Sequence, residues 1–60
     1  MKPAKGDIWM FTDEWGTEHH LILDDGTDRG YEIDYKTILL ESGESNMLFF
    51  RNQPILKKVA

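Results

Sequence analysis

A chain of 60 residues without cysteine has room for one domain and cannot form disulfides or thiolate zinc sites. The net charge is -4 and all 11 carboxylates lie between residues 7 and 44, which argues against broad nucleic-acid binding. No apolar run approaches the ~20 residues of a membrane span, so we expect a cytoplasmic chain with one domain over residues 1–60 and no membrane contact.

The shortness of the chain predicts association. A domain of this size buries only about 60% of the surface that its unfolded chain exposes, so small domains usually depend on disulfides, a metal or oligomerisation. We expect a homodimer or a complex with a protein partner, and no cofactor.

The first two predicted strands are rich in aromatic and branched residues. Residues 7–12 (DIWMFT) form the first strand and residues 18–23 the second, with a polar turn containing Gly16 between them. Residues 24–30 contain two glycines and three aspartates, a composition typical of a loop.

The third predicted strand, residues 31–41, begins with an apolar and polar alternation in which Tyr31, Ile33 and Tyr35 share one face. The alternative is an α+β fold with a helix over the same residues, because Tyr31, Tyr35 and Ile38 also share a helical face. Strands at residues 47–51 and 55–59 complete a five-stranded, all-β barrel or sandwich.

The pairing of the second and third strands determines where the two adjacent histidines point. A loop of residues 24–30 aligns apolar residues on one face: Leu23 with Tyr31, Leu21 with Ile33, and His19 with Tyr35. The other face then places His20 opposite Asp34. The sequence therefore predicts that His19 points inward and His20 outward.

Neighbouring strand residues face opposite ways, so the two histidines cannot jointly bind one metal ion. His20 and Asp34 are weak candidates for acid–base catalysis, and a plain surface contact is the alternative. The aspartates of residues 24–28 do not follow a calcium-loop pattern and are better explained as turn formers. We expect no metal site.

Two sets of residues are candidates for binding. Both faces of the first strand are apolar, which predicts that part of the surface meets a second subunit or a protein partner. The predicted binding surface consists of Trp9, Phe11, Trp15, Leu39, Leu48 and Phe50. The candidates for contact with nucleic acid are the basic residues near the two ends: Lys2, Lys5, Arg51, Lys57 and Lys58.

The sequence Lys5-Gly6-Asp7-Ile8-Trp9, followed by a turn and EHHLIL, resembles the opening of the PemK and MazF family of toxin ribonucleases over residues 6–23. The resemblance implies a small barrel of the Src-homology-3 (SH3) type, usually dimeric. Members of that family generally have an arginine where His19 and His20 stand, so no catalytic residue is transferred to this chain.

Two hypotheses of function follow. The first is a small non-enzymatic interaction module that self-associates or binds a protein partner through apolar and aromatic strand surface. The alternative is a ribonuclease-like or RNA-binding small barrel that uses His20 and Asp34 or the terminal lysines.

Overall fold

The computed structural model describes residues 2–51 and 56–60, and the chain is all-β within them. Six strands follow one another in these two ranges: β1 (Ile8–Asp13), β2 (Gly16–Ile22), β3 (Thr27–Asp28), β4 (Ile33–Leu39), β5 (Ser45–Phe50) and β6 (Leu56–Lys58). All pairings are antiparallel, in one open sheet. The all-β prediction is therefore confirmed.

The predicted strands are found with shifted bounds. The alternative helix at residues 31–41 is wrong, because Ile33–Leu39 is β4 and alternates between buried and more exposed side chains. The count of five strands is also wrong, since the predicted loop at residues 24–30 contains β3. The predicted strand at 55–59 starts at a residue outside the described part of the chain, and its described portion contains β6.

Strand β4 lies at the centre, because three other strands pair with it. β5 runs along one edge, while β3 and β2 follow one another along the opposite edge, with Asp28 opposite Ile33 and Leu21 opposite Ile38. β1 pairs with β2 and β6 with β1. Side by side, the strands run β5-β4-β2-β1-β6, with β3 beside the start of β4.

One face of the sheet, the inner face, forms the core. The buried cluster is Trp9, Ile22, Tyr35, Leu48 and Leu56, and Phe11, Ile33 and Phe50 pack against it. The rings of Trp9 and Phe50 meet edge to face with centroids 5.6 Å apart. Because β2 and β4 lie between the strands that carry these rings, the contact shows that the sheet curls around its core.

Gly26 marks a close approach of the backbone to this core. Its φ is +82°, and a Cβ atom added there would lie 2.6 Å from the Tyr35 ring and 2.7 Å from Ile33. Only glycine supplies both the left-handed backbone and the missing side chain at this point. The chain can therefore turn directly over Tyr35 between β2 and β3.

The predicted pairing of the second and third strands is wrong. His20 lies opposite Leu39 and Ile22 opposite Thr37, so the predicted contacts of His19 with Tyr35 and of His20 with Asp34 do not form. β3 folds back on Ile33 and Asp34 and occupies the half of the β4 edge that the prediction assigned to β2. The observed pairing of β2 with β4 is shifted from the predicted pairing by an odd number of residues. Each β2 side chain therefore lies on the opposite face from the predicted one.

No helix in residues 2–51 and 56–60 has the length and apolar character needed to cross a membrane.

Candidate functional site

The outer face of the sheet, opposite the core, carries an apolar row across three strands and the residue that follows β6. Ile8 lies opposite Leu21, and Leu21 opposite Ile38. On the other side of β1, the Val59 N–H donates to the Ile8 carbonyl at 2.8 Å, and the Ile8 N–H donates to the Ala60 carbonyl at 2.8 Å, which places Val59 beside Ile8. Val59, Ile8, Leu21 and Ile38 are called the outer row below. Side chains directly opposite one another share a face, so these four form continuous apolar surface.

A second, mixed row runs beside the outer row. Met10 lies opposite Lys57 on one side and His19 on the other. The Leu40 N–H donates to the His19 carbonyl at 2.9 Å, which places Leu40 at the end of this row. Leu40 and Val59 are both about half exposed. Apolar surface therefore extends over two rows of the outer face.

Glu41 fixes the orientation of His19 on this face. Its carboxylate accepts the His19 backbone N–H at 2.9 Å and lies 2.5 Å from the imidazole Nδ1. These hydrogen bonds, that of the backbone first, lower the pKa of Glu41 to about 2. The sequence prediction that His19 points inward is thus wrong, since this imidazole is partly exposed and paired with an acid.

A pocket of about 500 Å³ opens on the other side of the sheet. One wall is formed by Met47, Leu48 and Phe49 of β5, and another by Phe11, Glu18 and His20 of the β1–β2 hairpin. Glu32 and Arg51 also line it. The volume is within the range of roughly 300–1,000 Å³ that is usual for ligand sites.

His20 lies at the base of this pocket and is only 3% exposed. Its Nδ1 atom is 2.8 Å from the buried Thr37 hydroxyl, and its Nε2 atom is 3.5 Å from Glu18 Oε1. The hydroxyl holds the ring in one orientation, and the ring leaves Nε2 directed toward the pocket. The arrangement can position a polar group of a ligand beside Glu18.

Four charged side chains form a chain of contacts near the pocket. Arg51 donates to Glu32 at 3.3 Å, and Arg29 donates to Asp34 at 3.1 Å. A hydrogen bond to the Asp34 carboxyl group, followed by burial, raises the pKa of Glu32, and Arg51 acts in the opposite direction. The buried Oδ1 atom of Asp34 has no hydrogen-bond partner in the described residues.

The two weak catalytic candidates do not meet. His20 is on the inner face opposite Leu39, whereas Asp34 is opposite Thr27 and Phe49 and bonds Arg29. Glu18, which the sequence reasoning did not select, is the acid beside His20. The pairing of β1 with β2 puts His20 opposite Trp9, and this pairing was the signal from which the inward direction of His20 could have been predicted.

The predicted binding surface is divided by the fold. Trp9, Leu39 and Leu48 are buried, and Phe11 and Phe50 are partly buried against the core. Trp15 alone among the six is highly exposed, at 85%, in the turn between β1 and β2. The outer row was missed because its members alternate along each strand with these larger core residues.

The predicted basic residues are also spread over the described chain. Arg51 pairs with Glu32, and Lys58 lies 3.8 Å from Asp7. Lys57 is at the edge of the second row of the outer face. Among the described residues, no group of three or more histidine or acidic side chains is arranged to hold a metal ion.

No family model matches the sequence, and comparisons with curated proteins and with solved structures also gave no match.

Proposed function

We propose that the protein is a small, non-enzymatic interaction module that self-associates through the outer face of its sheet. The observation that carries this proposal is the outer row, where β1, β2, β4 and the residue after β6 each present a branched apolar side chain at the same level of the sheet. Contiguous apolar surface of this kind is typical of protein interfaces.

Charge complementarity favours a second copy of the chain as the occupant. Lys57 lies at one end of the second row and Glu41, beside His19, at the other. A two-fold axis parallel to the strands reverses the strand order in the facing copy, so Lys57 of each copy comes opposite Glu41 of the other. Symmetric dimers use one self-complementary surface in this way.

The size of the domain supports the same conclusion. A 60-residue chain without cysteine has little core to stabilise it, and covering the outer row removes further apolar area from water. At about 25 cal/mol per Å², a branched side chain that goes from fully exposed to fully buried contributes about 1.5–3 kcal/mol before the costs of association, and the half-buried Ile8, Leu21 and Ile38 contribute less.

Sedimentation equilibrium over a range of micromolar concentrations tests self-association. We expect the wild-type chain to form dimers, and Leu21→Lys to stay monomeric because it places a charge in the middle of the outer row. Thr27→Lys is the matched control, since it adds the same charge at an exposed position on β3. Circular dichroism of both variants establishes that the fold is retained.

A wild-type chain that remains a 7.0 kDa monomer throughout that range would contradict the proposal. Equal dimerisation of the wild type and of folded Leu21→Lys would move the interface to another surface. Loss of dimerisation in Thr27→Lys would show that the effect is one of net charge and not of position.

We also propose that the curled sheet is a small barrel of the SH3 type. The order β5-β4-β2-β1-β6, with the last strand beside the first, and the contact of Trp9 with Phe50 support this arrangement. The resemblance to the PemK and MazF family stays a prediction, as does cytoplasmic location. An experimental structure showing a flat sheet, with Trp9 and Phe50 apart, would contradict this arrangement.

The RNA-binding alternative has weaker support. Arg51 and Lys58 already contact carboxylates, and the net charge of the chain is -4. It predicts salt-sensitive RNA binding that is lost when Lys57 and Lys58 are both replaced by glutamine. Absent or salt-independent binding in a filter assay would remove this alternative.

A further inference from the structure

The outward edge of β5 is available for strand pairing within the described chain. Gly43, with φ +74°, lies in the turn that leads into β5, and its N–H donates to the Leu39 carbonyl. The Leu39 N–H donates in turn to the Glu44 carbonyl at 3.0 Å. From this point, hydrogen bonds to β4 recur at every second residue of an antiparallel pair. The main-chain groups of Met47 and Phe49 consequently point away from β4.

Asn46 supports this assignment. Its side-chain oxygen accepts the Met47 N–H at 2.7 Å, so this donor is satisfied locally and not by β4. No hydrogen bond outside the regular strand pairing involves the Phe49 main chain in the described residues. An extended peptide placed along β5 would find the Phe49 N–H and carbonyl at the correct spacing, as in other cases of strand addition.

The pocket beside this edge supplies selectivity. Met47, Leu48 and Phe49 form both the edge and one wall of the pocket. A strand added there directs alternate side chains to opposite faces, so every second residue of the peptide faces the pocket. Leu48 and Phe11 offer apolar contact for the methylene groups of a long side chain, while the polar groups that line the pocket lie beyond these two residues.

The charge of the pocket selects a cation. Arg51 compensates Glu32, whereas Glu18 is about half exposed and its contact with His20 Nε2 is at 3.5 Å. The exposed carboxylate of Glu18 therefore suits a protonated amine, through an ion pair.

We propose that an extended peptide segment of a protein partner pairs with the outward edge of β5 and inserts a lysine side chain into the pocket, with its ammonium group beside Glu18. Lysine fits better than arginine because Glu18 Oε1 already lies 3.5 Å from His20 Nε2, which leaves one carboxylate oxygen for a single-point contact, whereas a guanidinium uses both oxygens. This surface lies on the other side of the sheet from the outer row, so one copy can use both.

A nuclear magnetic resonance titration of the full chain tests the proposal. The probe is a capped hexapeptide of threonine and valine with one central lysine, compared with the same peptide carrying norleucine or glutamate there. We expect the lysine peptide to bind roughly fivefold more tightly than the norleucine peptide, from one ion pair. The largest amide shifts should fall on Met47 and Phe49.

Glu18→Gln is the decisive variant, because it keeps the shape of the side chain and removes its charge. It should bring the affinities of the lysine and norleucine peptides to within about twofold of each other. Glu14→Gln, at the tip of the β1–β2 turn, is the matched control and should leave the discrimination unchanged.

Three results would overturn the proposal. They are equal binding of the three peptides, unchanged lysine preference in folded Glu18→Gln, and amide shifts confined to the outer row. The last result would assign the peptide to the outer face. Self-association fails or succeeds independently, since it is read from the sedimentation of the chain without peptide.

Discussion

The two faces of the sheet both carry apolar residues, but only one is covered by other residues of the described chain. On the inner face, aromatic and branched side chains from five strands close over one another around Tyr35 and Ile22. On the outer face, the row through Leu21 and Ile38 stays partly exposed. The difference is one of curvature, because the sheet curls toward the inner face and leaves the outer face convex.

The adjacent histidines show how completely the faces differ. His20 is buried and bonded to a hydroxyl, while His19 is partly exposed and bonded to an acid. Residues next to each other in sequence therefore have unrelated chemical roles, since successive strand side chains point in opposite directions. The following variants test the separation of the two faces.

The largest difference is expected from truncating neighbouring residues of β2. Ile22→Ala should lower the free energy of unfolding by about 2–4 kcal/mol, because Ile22 is almost completely buried and leaves a cavity. Leu21→Ala should cost the isolated monomer under about 1 kcal/mol, since it removes only partly buried surface. Urea unfolding at low micromolar concentration measures both. Equal losses would show that the two faces are equally packed.

Removing the partner of the buried imidazole should have the next largest effect. Thr37→Val keeps the shape of the side chain but leaves His20 Nδ1 without its 2.8 Å partner, at a cost of about 1–3 kcal/mol. Thr17→Val is the matched control, because its hydroxyl bonds Thr12 on the exposed end of the hairpin. Thermal unfolding of the two variants compares them, and a larger loss for Thr17→Val would contradict the assignment of faces.

Tyr35→Phe should change stability little, within about 1 kcal/mol, and in the stabilising direction. The Tyr35 hydroxyl is buried and has no hydrogen-bond partner in the described residues, so its removal relieves a desolvation cost. Burial, followed by the nearby aspartates, also raises the pKa of this phenol. A loss above about 2 kcal/mol in chemical denaturation would reveal a partner for the hydroxyl.

Glu41 should produce the smallest effect, seen as a change of stability with pH. Its pKa in the folded chain is lowered to about 2, below the ordinary 4.5, so the folded state binds this proton more weakly than the unfolded state. Its contribution is thus complete above the unfolded value and is lost as the pH falls through the interval down to about 2. A carboxyl titration by nuclear magnetic resonance measures the shift directly.

Glu41→Gln supplies the control for this pH dependence. Between about pH 6 and about pH 3, the free energy of unfolding of the variant should fall less than that of the wild type. An identical fall in both proteins would show that the contact of Glu41 with His19 does not stabilise the folded state.

The longer strands could be predicted from the local sequence, but the pairing between strands could not. The alternation at Ile33 and Tyr35 and the aromatic residues at Trp9 and Phe11 are strong local signals, and each of these residues faces the core. β3 has only two residues and lies in a loop-like sequence, so it was missed. Its pairing with β4 then displaced β2 along the edge.

The candidate site was harder to predict for the same reason. With apolar residues at three successive positions, 21–23, the sequence of β2 suits either face, and only the β1–β2 turn decides between them. Asp13 accepts the Trp15 N–H and lies opposite Gly16, which fixes Trp9 opposite His20. Glu18 and Arg51 come together only through the curl of the sheet, which no local pattern encodes.

The most direct test of the central claim uses isotope-filtered nuclear Overhauser contacts between labelled and unlabelled copies of the chain. Contacts between copies should involve Ile8, Leu21 and Ile38 of the outer row, while Ile22 and Tyr35 should show contacts only within one copy. Contacts between copies that involve Ile22 or Tyr35, or none at Leu21 in a sample that sediments as a dimer, would contradict the division of the sheet into a core face and an association face.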